Sequence, residues 1–279
     1  MAAALSGNII CKYDNKRKFL TLDEKVAQRE GIPMNMNNVP ESLIKGGFIK
    51  KEHEEHYRLF FEHIRAGYDL QTVAFQYRFP SGWRWISAKA ALVYDKDKKP
   101  VSAIISFRDN TQEIILREKA EKDTLTELYN RDAFANRIKE RIESKNAPKL
   151  AAMFLLDLDD FKGINDTYGH AYGDVVIQKI GKGLSSLFVE EDAILARLGG
   201  DEFLVFLPHP QDLAEISKCA EKIVAAVPGM VGPKIKVSTS IGIALFPQDG
   251  KDFISLYHHV DKALYKVKDA GKNNYGFYK

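Results

Sequence analysis

Residues 197–203 read Arg-Leu-Gly-Gly-Asp-Glu-Phe, and residues 155–162 read Leu-Leu-Asp-Leu-Asp-Asp-Phe-Lys. Each segment is typical of an apolar β-strand with acidic residues at one end. Two such strands placed side by side would bring Asp157, Asp201 and Glu202 together. Clustered carboxylates beside a core are costly unless cations neutralise them. The pattern therefore predicts a site for Mg²⁺ and nucleotide phosphates, because Mg²⁺ binds few carboxylates and keeps its other positions for water and substrate.

The separate parts of this pattern also have simpler explanations. Asp157 taken alone is better explained as the N-cap of a following helix than as a metal ligand, and it shares a face with Asp159 if the strand continues that far. Gly199 and Gly200 form a common hairpin turn, and the missing side chains would also let a bulky substrate approach the backbone. The presence of a second acidic strand is what favours the cation site.

From residue 123 to the end, helices and strands alternate in a βαββαβ order. The predicted elements are helix 132–143, strand 150–156, a helix–turn–helix over 160–187, a hairpin of strands 193–198 and 201–207, helix 211–226, strand 234–246 and helix 252–270. This order predicts a ferredoxin-like sheet with extra helices, the palm-like plan that polymerases and nucleotide cyclases share.

The stretch 162–174 lies between the two acidic strands. We expect Gly169 and Gly173 to break one long helix into a turn that carries Asn165 on one arm and Asp174 on the other. A carboxylate can accept from the ring N–H and the exocyclic amine of guanine, and an Asn amide can complete the purine edge. Alternatively, Asn165 caps one helix and Asp174 starts the next. The spacing alone does not decide between these interpretations.

Residues 8–111 are predicted to form a smaller α+β domain. Its predicted elements are a hairpin of strands 8–13 and 19–22, helices at 23–30 and 52–66, and strands at 72–79, 83–94 and 101–107. This order, with Gly-Trp-Arg-Trp at 82–85 and Arg-Asp-Asn-Thr at 108–111, resembles a PAS sensor domain. The resemblance covers residues 1–111 and implies a sensor with an unknown ligand, bound in an apolar pocket, or a domain that only dimerises.

Residues 112–122 are charged and contain neither Gly nor Pro, which predicts a linker helix between the two domains. Its apolar residues, Ile114, Ile115 and Leu116, are too few to establish a coiled coil. A parallel dimer contact along this helix therefore remains open.

Composition limits the classes of function. A chain of 279 residues suits two domains, and a net charge of +3 does not favour binding to nucleic acid or membranes. Two distant cysteines fit a reducing compartment. The sequence contains no apolar run long enough to cross a bilayer, and residues 1–7 lack the basic start and long apolar stretch that are typical of a secretory signal. We expect a cytoplasmic protein without direct membrane contact, although the chain could be one piece of a longer, membrane-attached one.

Residues 123–131, 157–162, 165–174 and 199–203 together resemble the GGDEF domain of diguanylate cyclases. The resemblance covers residues 123–279 and involves several motifs in the right order. It implies an enzyme that condenses two GTP into cyclic di-GMP and two pyrophosphates. Because one domain binds one GTP, it also implies catalysis by a homodimer, here under control of the PAS-like domain and without a nucleic-acid partner.

The resemblance assigns a role to each matching residue. Asp157, the Leu158 carbonyl and Asp201 would hold two Mg²⁺ ions per GTP site, with Mn²⁺ as the alternative ion. Glu202 would support the metals or help to deprotonate the attacking 3′-hydroxyl. The implied catalytic residues are Asp201, Glu202 and Lys162, and the implied substrate-binding residues are Asn165, Asp174, His170, Asp160, Phe161, Gly199, Gly200, Lys268 and Lys272.

The phosphates would be held by Lys162 and by backbone N–H groups near Asp160 and Phe161. Lys268 and Lys272 would neutralise the triphosphate. Position 272 is commonly Arg in the family, so a fork-like contact is replaced here by a point charge. The asparagine–aspartate pair described above would bind guanine.

One departure concerns product inhibition. Many family members carry an Arg-x-x-Asp site five residues before the glycines, where this chain has Glu190 and Ala193. We therefore expect weak or absent feedback inhibition. A non-catalytic GTP- or cyclic-dinucleotide-binding regulatory module is the alternative function, but 199–203 has lost no acid. A cyclase with another base preference is a third interpretation, which a small residue in place of Asp174 would favour.

Overall fold

The computed structural model describes residues 8–68, 72–189, 191–232 and 235–279. It divides the chain into two compact units, the first ending at Glu118 and the second beginning at Lys119. Among the helices of these described ranges, none has both the length and the apolar character that a membrane crossing needs.

The first unit is built on an antiparallel sheet in the order β3-β2-β1-β6-β5-β4. Its strands are β1 (Ile9–Asp14), β2 (Phe19–Leu22), β3 (Asn35–Met36), β4 (Val73–Phe79), β5 (Gly82–Tyr94) and β6 (Pro100–Asp109). The predicted hairpin and three-strand meander are both present. The sequence did not predict β3, because two residues are too short to show a period.

Helices cover one face of this sheet. They are α1 (Glu24–Glu30), α2 (Glu41–Lys45) and α3 (Glu54–Ala66), the last preceded by a 3₁₀ turn at Lys51–His53. The predicted apolar face of α3, made of Tyr57, Phe60, Phe61 and Ile64, is buried. Each such side chain contributes about 2 kcal/mol when it leaves water. This aromatic face therefore fixes α3 to the sheet.

Helix α4 (Thr111–Ala120) corresponds to the predicted linker helix, and the boundary between the units falls within it. Its start is fixed by side chains of the first unit. The Thr111 N–H donates to Asp109 Oδ1 at 2.8 Å, and Thr111 Oγ1 accepts from the Trp85 N–H at 2.9 Å. The first turn of α4 is therefore tied to β5.

The second unit has the predicted βαββαβ order around a five-stranded sheet, β11-β10-β7-β9-β8. Its helices are α5 (Arg131–Glu143), α6 (Phe161–Tyr168), α7 (His170–Leu187), α8 (Leu213–Val231) and α9 (Phe253–Asp269), and its strands are β7 (Ala151–Asp159), β8 (Ile194–Gly199), β9 (Glu202–Pro208), β10 (Ser238–Phe246) and β11 (Tyr275–Phe277). Strand β11, which pairs parallel to β10, was not predicted.

Strand β7 lies between β10 and β9 and is buried along its whole length. Its side chains alternate between two cores. Phe154 and Leu156 belong to the core that includes residues of α7 and α8, and Met153 and Leu155 to the core that includes residues of α5 and α9. Asp157 follows Leu155 in this alternation, so the strand directs it to the α9 side of the sheet.

Candidate active site

The two acidic segments are neighbours in the sheet. Strands β7 and β9 pair antiparallel, and Asp157 is the direct register partner of Glu202. Asp201 precedes Glu202 in the turn between β8 and β9. Side chains of direct antiparallel partners lie on one face about 5 Å apart at Cβ. The three carboxylates that the sequence singles out are therefore brought to one edge of the sheet.

The helix-cap explanation of Asp157 is wrong. Strand β7 continues to Asp159, and the N-cap position of α6 is occupied by Asp160, in left-handed conformation with φ 55°. Asp157 is thus an acid inside a central strand, only 9% exposed. A buried strand does not by itself require a carboxylate at this position.

Asp157, Asp201 and Glu202, at one end of the paired strands β7 and β9, form what we call the acidic edge, and their negative charges repel one another. Burial, and next the charge of Asp157, raise the pKa of Asp201. Burial, and next the charges of Asp157 and Asp201, raise the pKa of Glu202. Lys268 opposes both shifts, and its Nζ lies 2.7 Å from Asp157 Oδ2. The edge therefore favours a bound positive charge.

Lys272, the second lysine that is expected to neutralise the triphosphate, also lies near the acidic edge. Lys272 Nζ donates to Asp160 Oδ1 at 2.7 Å, and this hydrogen bond raises the pKa of Lys272. Both C-terminal lysines thus lie at the acidic end of β7, as their assignment to phosphates requires. In this structure their direct partners are carboxylates.

The start of α6 offers backbone donors beside the acids. Phe161 and Lys162 form its first turn, directly after Asp160 and close in sequence to the Leu158 carbonyl. Lys162 is exposed to solvent. A helix N-terminus attracts phosphate oxygens because its first N–H groups have no partner within the helix. The predicted phosphate-holding segment therefore borders the predicted metal ligands.

The predicted break by two glycines is only half right. Gly169, with φ 83°, separates α6 from α7, whereas Gly173 lies inside α7 and is buried. A Cβ on Gly173 would collide with Asn165 Oδ1. Gly173 is needed for this close approach, which packs Asn165 against the residue next to Asp174.

The helix-cap explanation of this pair also fails. Asn165 lies within α6, and α7 starts at His170, so Asp174 lies beyond the first helical residues. Asp174 and His170 are exposed, and Asn165 is half-buried. The structure thus packs the Asn165 amide against Gly173, the residue before the exposed Asp174.

The glycines of the turn have a conformational reason. Gly199 has φ 142° and Gly200 has φ 52°, and an added Cβ at either position would meet open space. Positive φ values in this range favour glycine. Glycine is therefore favoured here by the backbone conformation and not by a close neighbour. The same open space would admit a substrate.

Sequence reasoning missed Arg197 as a positioning residue. Its Nη1 lies 3.2 Å from both carboxylate oxygens of Asp123, while its Nε and Nη2 donate to the Gly200 carbonyl at 3.1 and 2.8 Å. Burial alone would raise the pKa of Asp123, but hydrogen bonds from Thr126 and Arg197 outweigh it and lower this pKa. The partners are 74 residues apart, so no local pattern reveals the pair.

The donor set of the acidic edge fits a hard divalent cation. Carboxylate and carbonyl oxygens from Asp157, Leu158 and Asp201 are the ligand types that Mg²⁺ prefers. Among the described residues, no group of three or more His, Cys, Asp or Glu side chains is arranged as a metal centre. A site of two carboxylates and one carbonyl would leave the remaining positions to water and phosphate, as Mg²⁺ sites commonly do.

Fold and acidic edge together define the class of protein as a nucleotide-cyclase-like α+β domain that follows an N-terminal sheet domain. A family model described as "Diguanylate cyclase, GGDEF domain" matches residues 120–274. This match covers more than half of the chain, which therefore belongs to the GGDEF family. The predicted fold class is thereby confirmed.

Individual relatives agree with the family. The chain is 34% identical over 185 residues to the cyclic di-GMP phosphodiesterase PdeR of Escherichia coli, covering 64% of this chain and 28% of PdeR. It is 37% identical over 161 residues to the bifunctional diguanylate cyclase/cyclic di-GMP phosphodiesterase MucR of Pseudomonas aeruginosa, covering 56% of this chain and 23% of MucR. The chain thus spans only about a quarter of these relatives.

A solved structure supports the fold directly. The coiled coil and GGDEF domain of DgcB from Caulobacter crescentus, in complex with c-di-GMP, superimposes with a TM-score of 0.53 at 27% identity. The match covers 60% of this chain and 90% of the DgcB chain. The likeness therefore concerns the second unit of the present protein as a complete domain.

Proposed function

We propose that this chain is a diguanylate cyclase, which condenses two GTP into cyclic di-GMP and releases two pyrophosphates. The observation that carries the proposal is the register pairing of Asp157 with Glu202, which puts an acid from each strand on one face beside Asp201. No acid of 199–203 is replaced, so the non-catalytic alternative gains no support from the sequence.

The acidic edge would hold the metal and the reacting groups. Asp157, the Leu158 carbonyl and Asp201 are the residues that would bind Mg²⁺, or Mn²⁺ in its place. When bound, the metal would neutralise phosphate charge and lower the pKa of the attacking 3′-hydroxyl. Glu202, which lies directly opposite Asp157 and next to Asp201 in the chain, is the candidate to support the metal or to accept the proton.

The remaining residues would bind and orient GTP. Asn165 and Asp174 would hydrogen-bond the guanine edge, with His170 beside them. Lys162 and the N–H groups at the start of α6 would hold the phosphates. Lys268 and Lys272 would exchange their carboxylate partners for the triphosphate.

The reaction needs two copies of the site. Each GTP offers its 3′-hydroxyl to the α-phosphate of the other, and pyrophosphate leaves. We propose that two second units face each other about a two-fold axis, at least transiently. We also propose that the first unit is a PAS-like sensor that regulates this assembly through α4.

Feedback inhibition is proposed to be weak. Glu190 lies outside the described residues, and Ala193 precedes β8. Glu190 has no guanidinium for the Arg position of the family's inhibition site, and Ala193 has no carboxylate for its Asp position. Binding of cyclic di-GMP to the Asp201→Ala protein, measured by calorimetry, should be undetectable at micromolar product, and tight binding would contradict this part of the proposal.

The direct test of the reaction identifies the product. Purified protein is incubated with GTP and Mg²⁺, and the products are identified by mass spectrometry, with ATP in a parallel reaction. We expect cyclic di-GMP and pyrophosphate from GTP and no cyclic dinucleotide from ATP. Binding of GTP without product would instead support the regulatory module.

A further inference from the structure

Asp159 lies two residues after Asp157 on the same strand but has different partners. Its side chain is buried, with the residue only 7% exposed. Ser238 Oγ donates to Asp159 Oδ2, and Ser240 Oγ donates to Asp159 Oδ1, both at 2.7 Å. Both serines belong to the neighbouring strand β10. The two oxygens of this carboxylate are thus both used inside the protein.

A third donor comes from the C-terminal loop that follows α9. The Asn273 N–H donates to Asp159 Oδ2 at 3.1 Å, across 114 positions of sequence. Lys272 and Asn273 have φ values of 65° and 47°, after Gly271 at 118°. Non-glycine residues in this region each cost about 1–3 kcal/mol unless their surroundings hold them. The hydrogen bond to Asp159 is one contact that holds this loop.

The loop carries a lysine of the candidate active site. Lys272 Nζ reaches Asp160, the residue after Asp159 and the N-cap of the helix that would hold phosphates. A change in the conformation at Asn273 would move the adjacent Lys272 backbone, and with it the ammonium group. Asp159 therefore connects the central strand, strand β10 and the loop that presents Lys272.

We propose that Asp159 is a positioning residue, which holds the 271–273 loop so that Lys272 meets the triphosphate of GTP. This inference rests on the proposed function, since it assumes that the site binds GTP. It assigns Asp159 a role different from that of Asp157, because it acts as a hydrogen-bond acceptor for the protein and not as a ligand of the metal.

The test compares Asp159→Ala with the conservative variant Asp159→Asn. An asparagine can direct its carbonyl to Asn273 N–H and Ser238, and its amide to the Ser240 oxygen, so the loop should stay in place. Binding of the unreactive guanosine 5′-[α,β-methylene]triphosphate with Mg²⁺ is measured by calorimetry. We expect about a tenfold weaker Kd for D159A and less than about a threefold change for D159N.

Measuring the effect of D159A with and without Lys272 distinguishes a positioning role from a general loss of structure. If Asp159 acts through Lys272, D159A should weaken binding less than about twofold when Lys272→Ala is already present. The control is Asp249→Ala, which removes a carboxylate that accepts from the Leu245 N–H at 2.7 Å near the other end of β10. This control should leave analogue affinity within about twofold of wild type.

Three outcomes would overturn the proposal. An equal loss in D159N and D159A would indicate that the charge itself is required, as for a metal ligand. An equal loss with and without Lys272 would indicate a role independent of the loop. Absence of analogue binding by the wild-type protein at millimolar concentration would overturn this inference and the proposed function together.

The two proposals can fail separately. If the wild-type protein binds the analogue but makes no cyclic di-GMP from GTP, the proposed reaction is wrong while the positioning role is still decided by the variants. Should D159A not fold, as judged by circular dichroism, Asp159→Ser replaces it. A serine keeps a polar group beside Ser238 and Ser240 but is too short to reach the Asn273 N–H.

Discussion

In the first unit the carboxylate of Glu30 lies between two guanidinium groups, whereas in the second unit Asp157, Asp201 and Glu202 lie beside one another. Glu30 is 7% exposed and accepts from Arg29 at 2.7 Å and from Arg84 at 3.3 Å. Arg84 also lies 3.6 Å from Asp109 Oδ2. The first arrangement is a compensated charge network.

The second arrangement leaves repulsion in place. Asp157 pairs with Lys268, yet its charge still raises the pKa of Asp201 and of Glu202, after the effect of burial. A protein that needed only stability would separate or pair these acids. The difference agrees with the proposed function, in which the acidic edge serves binding and chemistry while the Glu30 network serves the fold.

The largest expected effect comes from Asp201→Ala. This change should lower the rate of cyclic di-GMP formation at least about a thousandfold, because an acid at the reacting phosphates is lost. It should not lower the melting temperature of the second unit, since removing one of three neighbouring acids relieves repulsion. Product is measured by chromatography and stability by calorimetry. A normal rate, or a large loss of stability, would remove the contrast between the two regions.

Glu30→Ala should show the opposite behaviour. Removal of one partner from a buried ion pair costs about 3 kcal/mol, the low end of the usual range because Asp109 stays near Arg84. Both tryptophans of the chain, Trp83 and Trp85, belong to the first unit, so their fluorescence during urea unfolding reports on this unit alone. An unchanged midpoint would show that the network does not support the fold.

Arg197→Ala tests an intermediate case, a compensated pair inside the second unit. The loss of its bonds to Asp123 and to the Gly200 carbonyl should release the turn that carries Asp201. We expect kcat/KM for GTP to fall about thirtyfold, or ~2 kcal/mol. Arg141→Ala, which removes an exposed ion pair to Asp192, is the matched control and should change kcat/KM less than about twofold. Equal effects of the two variants would contradict a positioning role for Arg197.

The smallest effect is expected from Lys272→Arg. A guanidinium can bind a phosphate in two-point contact where an ammonium acts as a point charge. The KM for GTP should fall by about threefold or less, with kcat unchanged. Lys179→Arg, on α7 and bonded to the Val231 carbonyl, is the control. A higher KM in the Lys272 variant would mean that the loop has no room for the larger guanidinium group.

The sequence predicted the pairing of the acidic strands because each carries a local signal, an apolar run that meets acids. It could not predict the separate partners of Asp157 and Asp159, which alternation places on one face. Their difference depends on Ser240 and Asn273, more than 80 positions away along the chain. Strand β11 was missed for a similar reason, since its three residues are too few to show a period and are a strand only through their pairing with β10.

Helix ends in the second unit were predicted to within a few residues, apart from the C-terminus of α8. The pattern placed that end at 226, whereas the helix continues through Pro228 to Val231. Val227 and Val231 are buried against the sheet, and this packing extends the helix beyond its local signals. Tertiary contacts thus decided the features that the local pattern left out.

The central position of β7 gives the two proposed metal ligands different mechanical properties. Asp157 belongs to a strand that is hydrogen-bonded on both edges, and amides in such strands exchange with solvent only when most of the domain opens. Asp201 belongs to a short glycine turn outside the two strands, and the hydrogen bonds from Arg197 to the Gly200 carbonyl hold this turn. One oxygen donor is therefore fixed by the pairing of the sheet and the other by a single guanidinium, so a change at position 197 would displace Asp201 and leave Asp157 in place.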